Sequence, residues 1–346
     1  MTAIFHPTGD SNGTPQSLVI LHQGQSPTAD IYFRPRFEGS SFPVSYIDIS
    51  QPFEGPNPFS EGTFVVIVRY LNGEWAKRLA GVRAHLSGVA YLMDDDIPGV
   101  LSDKKLPRYY AWKVAFNWWR WKKTFARLTS EVWLTSPGLL ARYGDTPGTR
   151  CIEPMYVPGD PGVAETAGDD GPVRIFYHGE RTHVADTVWL AEVARRVQAT
   201  NSNTIFEVIG RIDVKRAYRG IERVRVTHPM TWQAYLSSSR IERAHIGLAP
   251  LGDGAYNRSR SINKLFDITR MGAAGIFADQ PPYAGTLADG QEALLCGPGI
   301  DAWVDAITAL ANDPDRRAQL HAEAKRFCLA HNERERANPV TQRFMA

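Results

Sequence analysis

"VPGDPGVAETAGDDGP", residues 157–172, decides the fold. It is rich in proline, glycine and aspartate and carries no apolar period, the composition of a linker between domains. The same pattern runs on both sides of it. Upstream, "SLVILHQGQS" (17–26), "FPVSYIDIS", "TFVVIVRYLN", "SGVAYLMDDDIP" and "SEVWLTSP" read as strands, the last ended by Pro-Gly before a short helix, "LLARYG". Downstream, "VRIFYHG", "TIFEVIG", "VRVTHP" and "HIGLAPL" read as strands, with helices "DTVWLAEVARRVQA" and "TWQAYLSSS" among them. "DAWVDAITALAND" and "DRRAQLHAEAKRFCLAHN" close the chain as amphipathic helices. Strands alternating with helices specify α/β sheets with parallel strands. Two such halves normally take a ligand in the cleft between them.

At 346 residues the chain is long enough for two full cores. A net charge of +2 argues against a nucleic-acid partner, so any positive patch is local. Cys151, Cys296 and Cys328 lie far apart with no CxxC, which suggests a reducing compartment and no zinc site. No basic segment with a following apolar run opens the sequence, and no run approaches membrane-spanning length. The expected location is cytoplasmic, at or near the inner face of a membrane.

Local positive charge appears in "NRSRSINKLFDITRMGAAGIFAD", residues 257–279. With Ser261 as N-cap, a helix runs to a glycine stop at Gly272 and carries Ile262, Leu265, Phe266 and Met271 on one face. Its N-terminal end offers N–H groups and a positive dipole, and Arg258, Arg260 and Lys264 add cations suited to a diphosphate. Asp267, one turn on, is placed to accept from ribose hydroxyls. The same residues equally fit a solvated basic helix end with an ordinary Lys–Asp pair.

The run 245–320 resembles the donor-binding half of GT-B glycosyltransferases, near glycosyltransferase family 4. The likeness rests on Asn257–Asp267, then "ADGQEALLCGPG", then "AWVDAITALANDPDRR"; it extends more loosely to "GVAYLMDDDIP" and "SEVWLTSPGLLARYG". It implies an α/β GT-B fold, two Rossmann-like domains facing each other across a cleft. It also implies a nucleotide-sugar bound by Asn257, Arg258, Arg260, Ser261, Lys264 and Asp267. The domains would be an acceptor-side domain over 1–158, a donor domain over 159–325 and a last helix, 326–346, returning to the first. The family's retaining motif has two glutamates eight positions apart; here Asp267 holds the second place and Ser259 the first. The family's stereochemical outcome therefore does not carry over.

Further candidates follow the strands. In "YHGERTHVAD" (177–186), Gly179 permits close backbone approach, and Arg181 or His183 is in reach of a phosphate. The resemblance also puts a donor-site loop there; the alternative is a polar loop capping the next helix through Asp186. Arg211 follows "VIG" at a strand's carboxyl end, a donor-phosphate contact or a surface arginine. Asp94, Asp95 and Asp96 end another strand. They read as a divalent-metal site, as an acceptor-side general base, or as a helix cap in a solvated turn. The acceptor reading is favoured, because Arg and Lys can neutralise the leaving group without a metal. The resemblance makes Gly24, Gln25 and Ser26 acceptor-side residues, with His22 as readily structural as basic. "YYAWKVAFNWWRWKKTFARL" (109–128) mixes aromatics with Lys and Arg, as a membrane-surface helix does and as a core-packing helix with a wet outer face also does.

The expected function is transfer of a sugar from a nucleotide-diphosphate sugar to a hydroxyl acceptor on a cell-surface glycan or lipid-linked intermediate. No cofactor, metal or nucleic acid is expected. The rivals are a catalytically inactive sugar- or nucleotide-binding protein and a metal-dependent transferase using Asp94–Asp96.

Overall fold

The apolar runs fold as parallel strands in the computed structural model, which describes residues 3–103, 106–163, 171–179 and 181–345. Residues 164–170 of the linker stretch and Glu180 lie outside the described residues. Contacts divide the chain into two units: Met1–Met155 with Ser259–Ser261 and His331–Ala346, and Tyr156–Arg258 with Ile262–Ala330.

Among the described residues the first unit holds β1 (Ser17–His22), β2 (Val44–Asp48), β3 (Thr63–Val68), β4 (Gly88–Met93), β5 (Glu131–Leu134) and β6 (Thr149–Cys151). They form one parallel sheet in the order β2-β1-β3-β4-β5-β6. β3, β4 and β5 are buried at every position, as strands covered on both faces must be. The helix Arg108–Leu128 sets Trp118 and Phe125 against Tyr91 of β4, with ring centroids 5.8 and 4.5 Å away. Pro137 does not stop the chain after β5. It opens the helix Pro137–Tyr143 behind the Ser136 cap, since proline has no N–H to lose at a first helical position. The chain's last residues complete this core. Phe344 packs on Phe64, Phe42 and Trp133, and Arg343 grips both oxygens of Glu131 at 2.7 and 3.0 Å.

The second unit holds β7 (Val173–Tyr177), β8 (Thr204–Ile209), β9 (Val224–Thr227), β10 (Ile246–Ala249), β11 (Ala274–Ala278) and β12 (Leu294–Cys296). Their order, β12-β11-β10-β7-β8-β9, is that of a Rossmann sheet, again parallel throughout. The helices Val184–Thr200 and Ile300–Ala311 cover it, with Trp189 and Trp303 meeting edge to face at 5.6 Å.

Such sheets bind ligands outside the carboxyl ends of the strands, where the strand order reverses. The reversal falls between β1 and β3 in the first sheet and between β7 and β10 in the second.

Candidate active site

In the first unit the three aspartates leave the carboxyl end of β4. Val68 of β3 pairs with Leu92 of β4, so the residue after β3, Arg69, arrives beside them. Its guanidinium donates to Asp94 Oδ1 and, at 2.6 Å, to Asp95 Oδ2. Arg69 takes φ +58°, a left-handed conformation costing a non-glycine residue about 1 kcal/mol, which the two ion pairs hold in place.

The three carboxylates do different things. Asp94 is nearly buried and its second oxygen accepts from Thr28 Oγ1. Burial holds its carboxyl above the usual range; Arg69 opposes this, and the Asp95 charge adds to it. Asp96 is fully buried and accepts from Tyr143 Oη at 2.5 Å and from Gly99 N–H at 2.9 Å, with Arg142 at 2.8 Å. Those bonds tie down the turn after β4. Asp95 meets Arg69 through one oxygen and is the most open of the three.

The loop after β1 lies at the same carboxyl edge. Gly24 sits at φ +61° and donates its N–H to Asp48 Oδ1 at 2.8 Å, while His22 Nδ1 lies 2.9 Å from Gly24 O. Ser26 is spent as the cap of the helix Pro27–Tyr32, accepting from Ala29 N–H. Gln25 is exposed.

In the second unit Lys264 is the connecting residue. It belongs to the helix Asn263–Arg270, yet its Nζ donates to the carbonyl of His178, just past β7, and lies 5.9 Å over the Tyr177 ring. Its ammonium is therefore at the β7–β10 reversal, next to Gly179. A Cβ on Gly179 would come within 2.7 Å of the Tyr177 ring and 3.1 Å of His183 Cβ, so the position excludes a side chain. Asp267 stands between two cations: Lys264 at 3.8 Å and the buried Arg270, which Ser239 also holds at 2.9 Å.

His183 is buried and pairs with Asp186 at 3.1 Å at the start of the helix Val184–Thr200. Arg211 is exposed directly after β8 and Gly210. Asn257 donates to Gly252 O at 2.7 Å, and Arg258 pairs with Asp253 at the surface. Arg260 and Ser261 group with the first unit, where Ser136 Oγ donates to the carbonyl of their neighbour Ser259.

One local expectation is corrected. Ser261 does not cap the basic helix: the helix begins at Asn263 after Ile262, with no side-chain cap, because the chain at 259–261 is held elsewhere. The helix does stop at Gly272. That residue has φ +74°, its N–H donates to Thr269 O, and Ala273 N–H reaches Ile268 O, a Schellman ending.

Arg69, Thr28, Arg270 and a small polar cavity escaped the sequence reading. The cavity, about 40 Å³, lies at the carboxyl ends of β7–β9 and is lined by His178, Glu207, Arg225, Thr227, Tyr235 and Ser238 among others. That volume has room for a few waters and none for a ring. His178 Nε2 lies 3.3 Å from Glu207 Oε1, and that hydrogen bond, against burial, draws the Glu207 carboxyl below its ordinary value; Arg174 and Arg225 assist. An acid inside "TIFEVI" was the available signal. Among the described residues no group of three or more His, Cys, Asp or Glu is arranged to hold a metal ion.

Solved structures share this architecture. The chain is similar to sucrose-phosphate synthase from Thermosynechococcus elongatus, with TM-score 0.60 and 14% identity over 93% of this chain and 96% of that one. It is similar to WaaG, a glycosyltransferase involved in lipopolysaccharide biosynthesis, with TM-score 0.54 and 13% identity over 92% and 98%. It is also similar to a Staphylococcus aureus TarM variant in complex with fondaparinux, α-GlcNAc-glycerol and UDP, with TM-score 0.56 and 10% identity. That likeness covers 83% of this chain but 56% of TarM, so the chain spans little more than half of that relative. The fold is GT-B. No protein-family model matches the sequence, and no curated protein does.

Proposed function

We propose that the protein is a glycosyltransferase, close in kind to family 4, that moves a sugar from a nucleotide-diphosphate sugar to a hydroxyl acceptor. Lys264 carries the reading. Its ammonium stands at the strand-order reversal of the second sheet, beside a glycine with no room for a side chain, in a fold shared with glycosyltransferases. A cation there neutralises a diphosphate as it leaves, with the uncapped helix end, Arg258 and Arg260 as further donors. Asn257, Ser261, Arg211, Gly179 and His183 complete the donor side in this reading, and Asp267 accepts from the ribose.

On the acceptor side, Asp95 is the carboxylate with capacity to take a hydroxyl proton. Asp94 positions Arg69, Asp96 fixes the turn, and the 24–26 loop borders the site. The acceptor class is a cell-surface glycan or its lipid-linked intermediate; the involvement of WaaG in lipopolysaccharide biosynthesis supports that choice. The nucleotide-sugar is a co-substrate, and the arginine and lysine side chains take the place of a metal.

The test is thermal shift with UDP, GDP, ADP and CMP and their sugars, with and without EDTA, followed by nucleotide release over acceptors. One nucleoside diphosphate is expected to raise the melting temperature in the presence of EDTA. Lys264→Ala should weaken that ligand by roughly 10- to 100-fold, the worth of one hydrogen bond to a charged group. No nucleotide shift, or one needing metal and indifferent to Lys264, overturns the reading. A second reading, binding without turnover, is favoured by Ser259 at the first acidic position and by Arg270 on Asp267. It predicts the shift but no nucleotide release.

A further inference from the structure

The helix Arg108–Leu128 has two apolar faces. The inner one, with Val114, Trp118, Phe125 and Leu128, is core. The outer one presents Tyr109, Trp112, Phe116 and Trp119, exposed by 82, 57, 61 and 55%. At 3.6 residues per turn these four form a single stripe, roughly 80° wide. Trp112 and Trp119 touch within it, edge to face at 6.0 Å. Exposing four large aromatics in one row is not accounted for by the fold, and such a patch marks an interaction surface.

Charge selects the partner. The helix carries Arg108, Lys113, Arg120, Lys122, Lys123 and Arg127 and not one acid, in a chain whose net charge is only +2. Lys113, Arg120 and Arg127 run along one border of the stripe, and Lys123 continues its line. A second copy docking on this face would set these cations against their own kind. Single-stranded nucleic acid is bound in a basic groove with rings offered face-on for stacking. Here the surface is a convex helix whose exposed Trp112 and Trp119 meet edge to face. An anionic bilayer satisfies both features, because aromatic rings enter the headgroup boundary while lysine and arginine meet lipid phosphates.

We infer that the outer face of Arg108–Leu128 docks the protein flat on an anionic lipid surface. The helix lies in the interface plane and does not span it; no described helix is long and apolar enough to cross a membrane. The inference is independent of the sugar-transfer reading, since it needs no nucleotide.

The test is co-sedimentation of the full chain with phosphatidylcholine vesicles containing 30% phosphatidylglycerol, and with pure phosphatidylcholine vesicles. Two triple variants run beside it: Trp112→Ser/Phe116→Ser/Trp119→Ser and Lys113→Glu/Arg120→Glu/Lys123→Glu. All six side chains point to solvent, so unchanged melting temperatures check the fold. Binding at least tenfold tighter to anionic vesicles is expected, falling tenfold or more in each variant and weakening as salt rises. Equal binding to neutral vesicles, no binding, or binding indifferent to the aromatic variant overturns the inference. So does self-association that the aromatic variant abolishes, or an oligonucleotide bound in preference to vesicles. Nucleotide shifts measured on the same variants keep this result separate from the donor site.

Discussion

Replacing Arg69 by methionine removes a charge while keeping most of its volume, and leaves Asp94 buried with only the Thr28 hydroxyl for company. Breaking a buried ion pair by removing one partner typically costs about 3–5 kcal/mol. Arg69 is itself 27% exposed and Asp94 only 6%, so the lower end, about 3 kcal/mol, applies here. For a unit of roughly 170 residues that corresponds to about 6–12 °C in melting temperature. The loss must depend on pH in a fixed direction. Burial already holds the Asp94 carboxyl above its ordinary value, and losing Arg69 raises it further. A folded-state value above the unfolded one leaves stability intact below the unfolded value and removes it as pH rises through the folded one. Arg69→Met should therefore cost little near pH 4, where Asp94 keeps its proton, and the full amount near pH 8. Adding Asp94→Asn removes the charge that suffers and should recover most of the loss at pH 8. Differential scanning fluorimetry across that range reads both. An equal loss at pH 4 and pH 8, or no recovery in the double variant, would refute the assignment of Arg69 as the counter-ion of Asp94.

Burial, reinforced by the Glu335 charge and opposed by Arg334, pushes the Glu153 carboxyl up to about 7. The stability it contributes is complete below its ordinary value and lost as pH rises through 7. Glu153→Gln should thus match the parent at pH 4 and exceed it at pH 8 by about 1–2 kcal/mol after allowance for partial exposure, read by the same melts. Phe344→Ala opens a cavity among Phe64, Phe42 and Trp133 and should cost about 3–5 kcal/mol. The loss should appear in the first unit's unfolding, with the second unit's transition unchanged in differential scanning calorimetry.

The sheets were legible wherever a strand is buried on both faces. "TFVVIV", "GVAYLM" and "AGIFA" are short continuous apolar runs, the pattern of a parallel strand covered on both faces. β6 and β12 were not, because three residues at a sheet edge carry no period: "TRC" is half-exposed, and "LLC" could close a loop as readily. The glycine stop at Gly272 was readable because a Schellman ending depends on local chain geometry alone. The helix start was not, since the contacts that hold Ser259–Ser261 come from residues more than a hundred positions away.

The site shows the same division. An acid run at a strand end announces itself, but its electrostatics belong to the partner. Arg69 and Asp94 are 25 positions apart and meet only because β3 pairs with β4 in the register Val68 to Leu92. That register also sorts the three aspartates, which the sequence presents as equals. Asp94 faces the adjoining strand end and is consumed there by Arg69 and Thr28. Asp96, two residues on, turns toward Tyr143 and Arg142 and is consumed by the turn. Asp95 is left as the carboxylate that couples to Arg69 yet remains open. In the second unit Lys264 and Asp267, one turn apart, stand out in the sequence, whereas Arg270, a further turn on, does not. Only the fold separates the two cations: Arg270 is buried against Ser239, whereas Lys264 reaches out to the end of β7. Asp267 is thereby anchored by Arg270, while Lys264, bonded to the His178 carbonyl, sets its ammonium at the strand-order reversal of the second sheet.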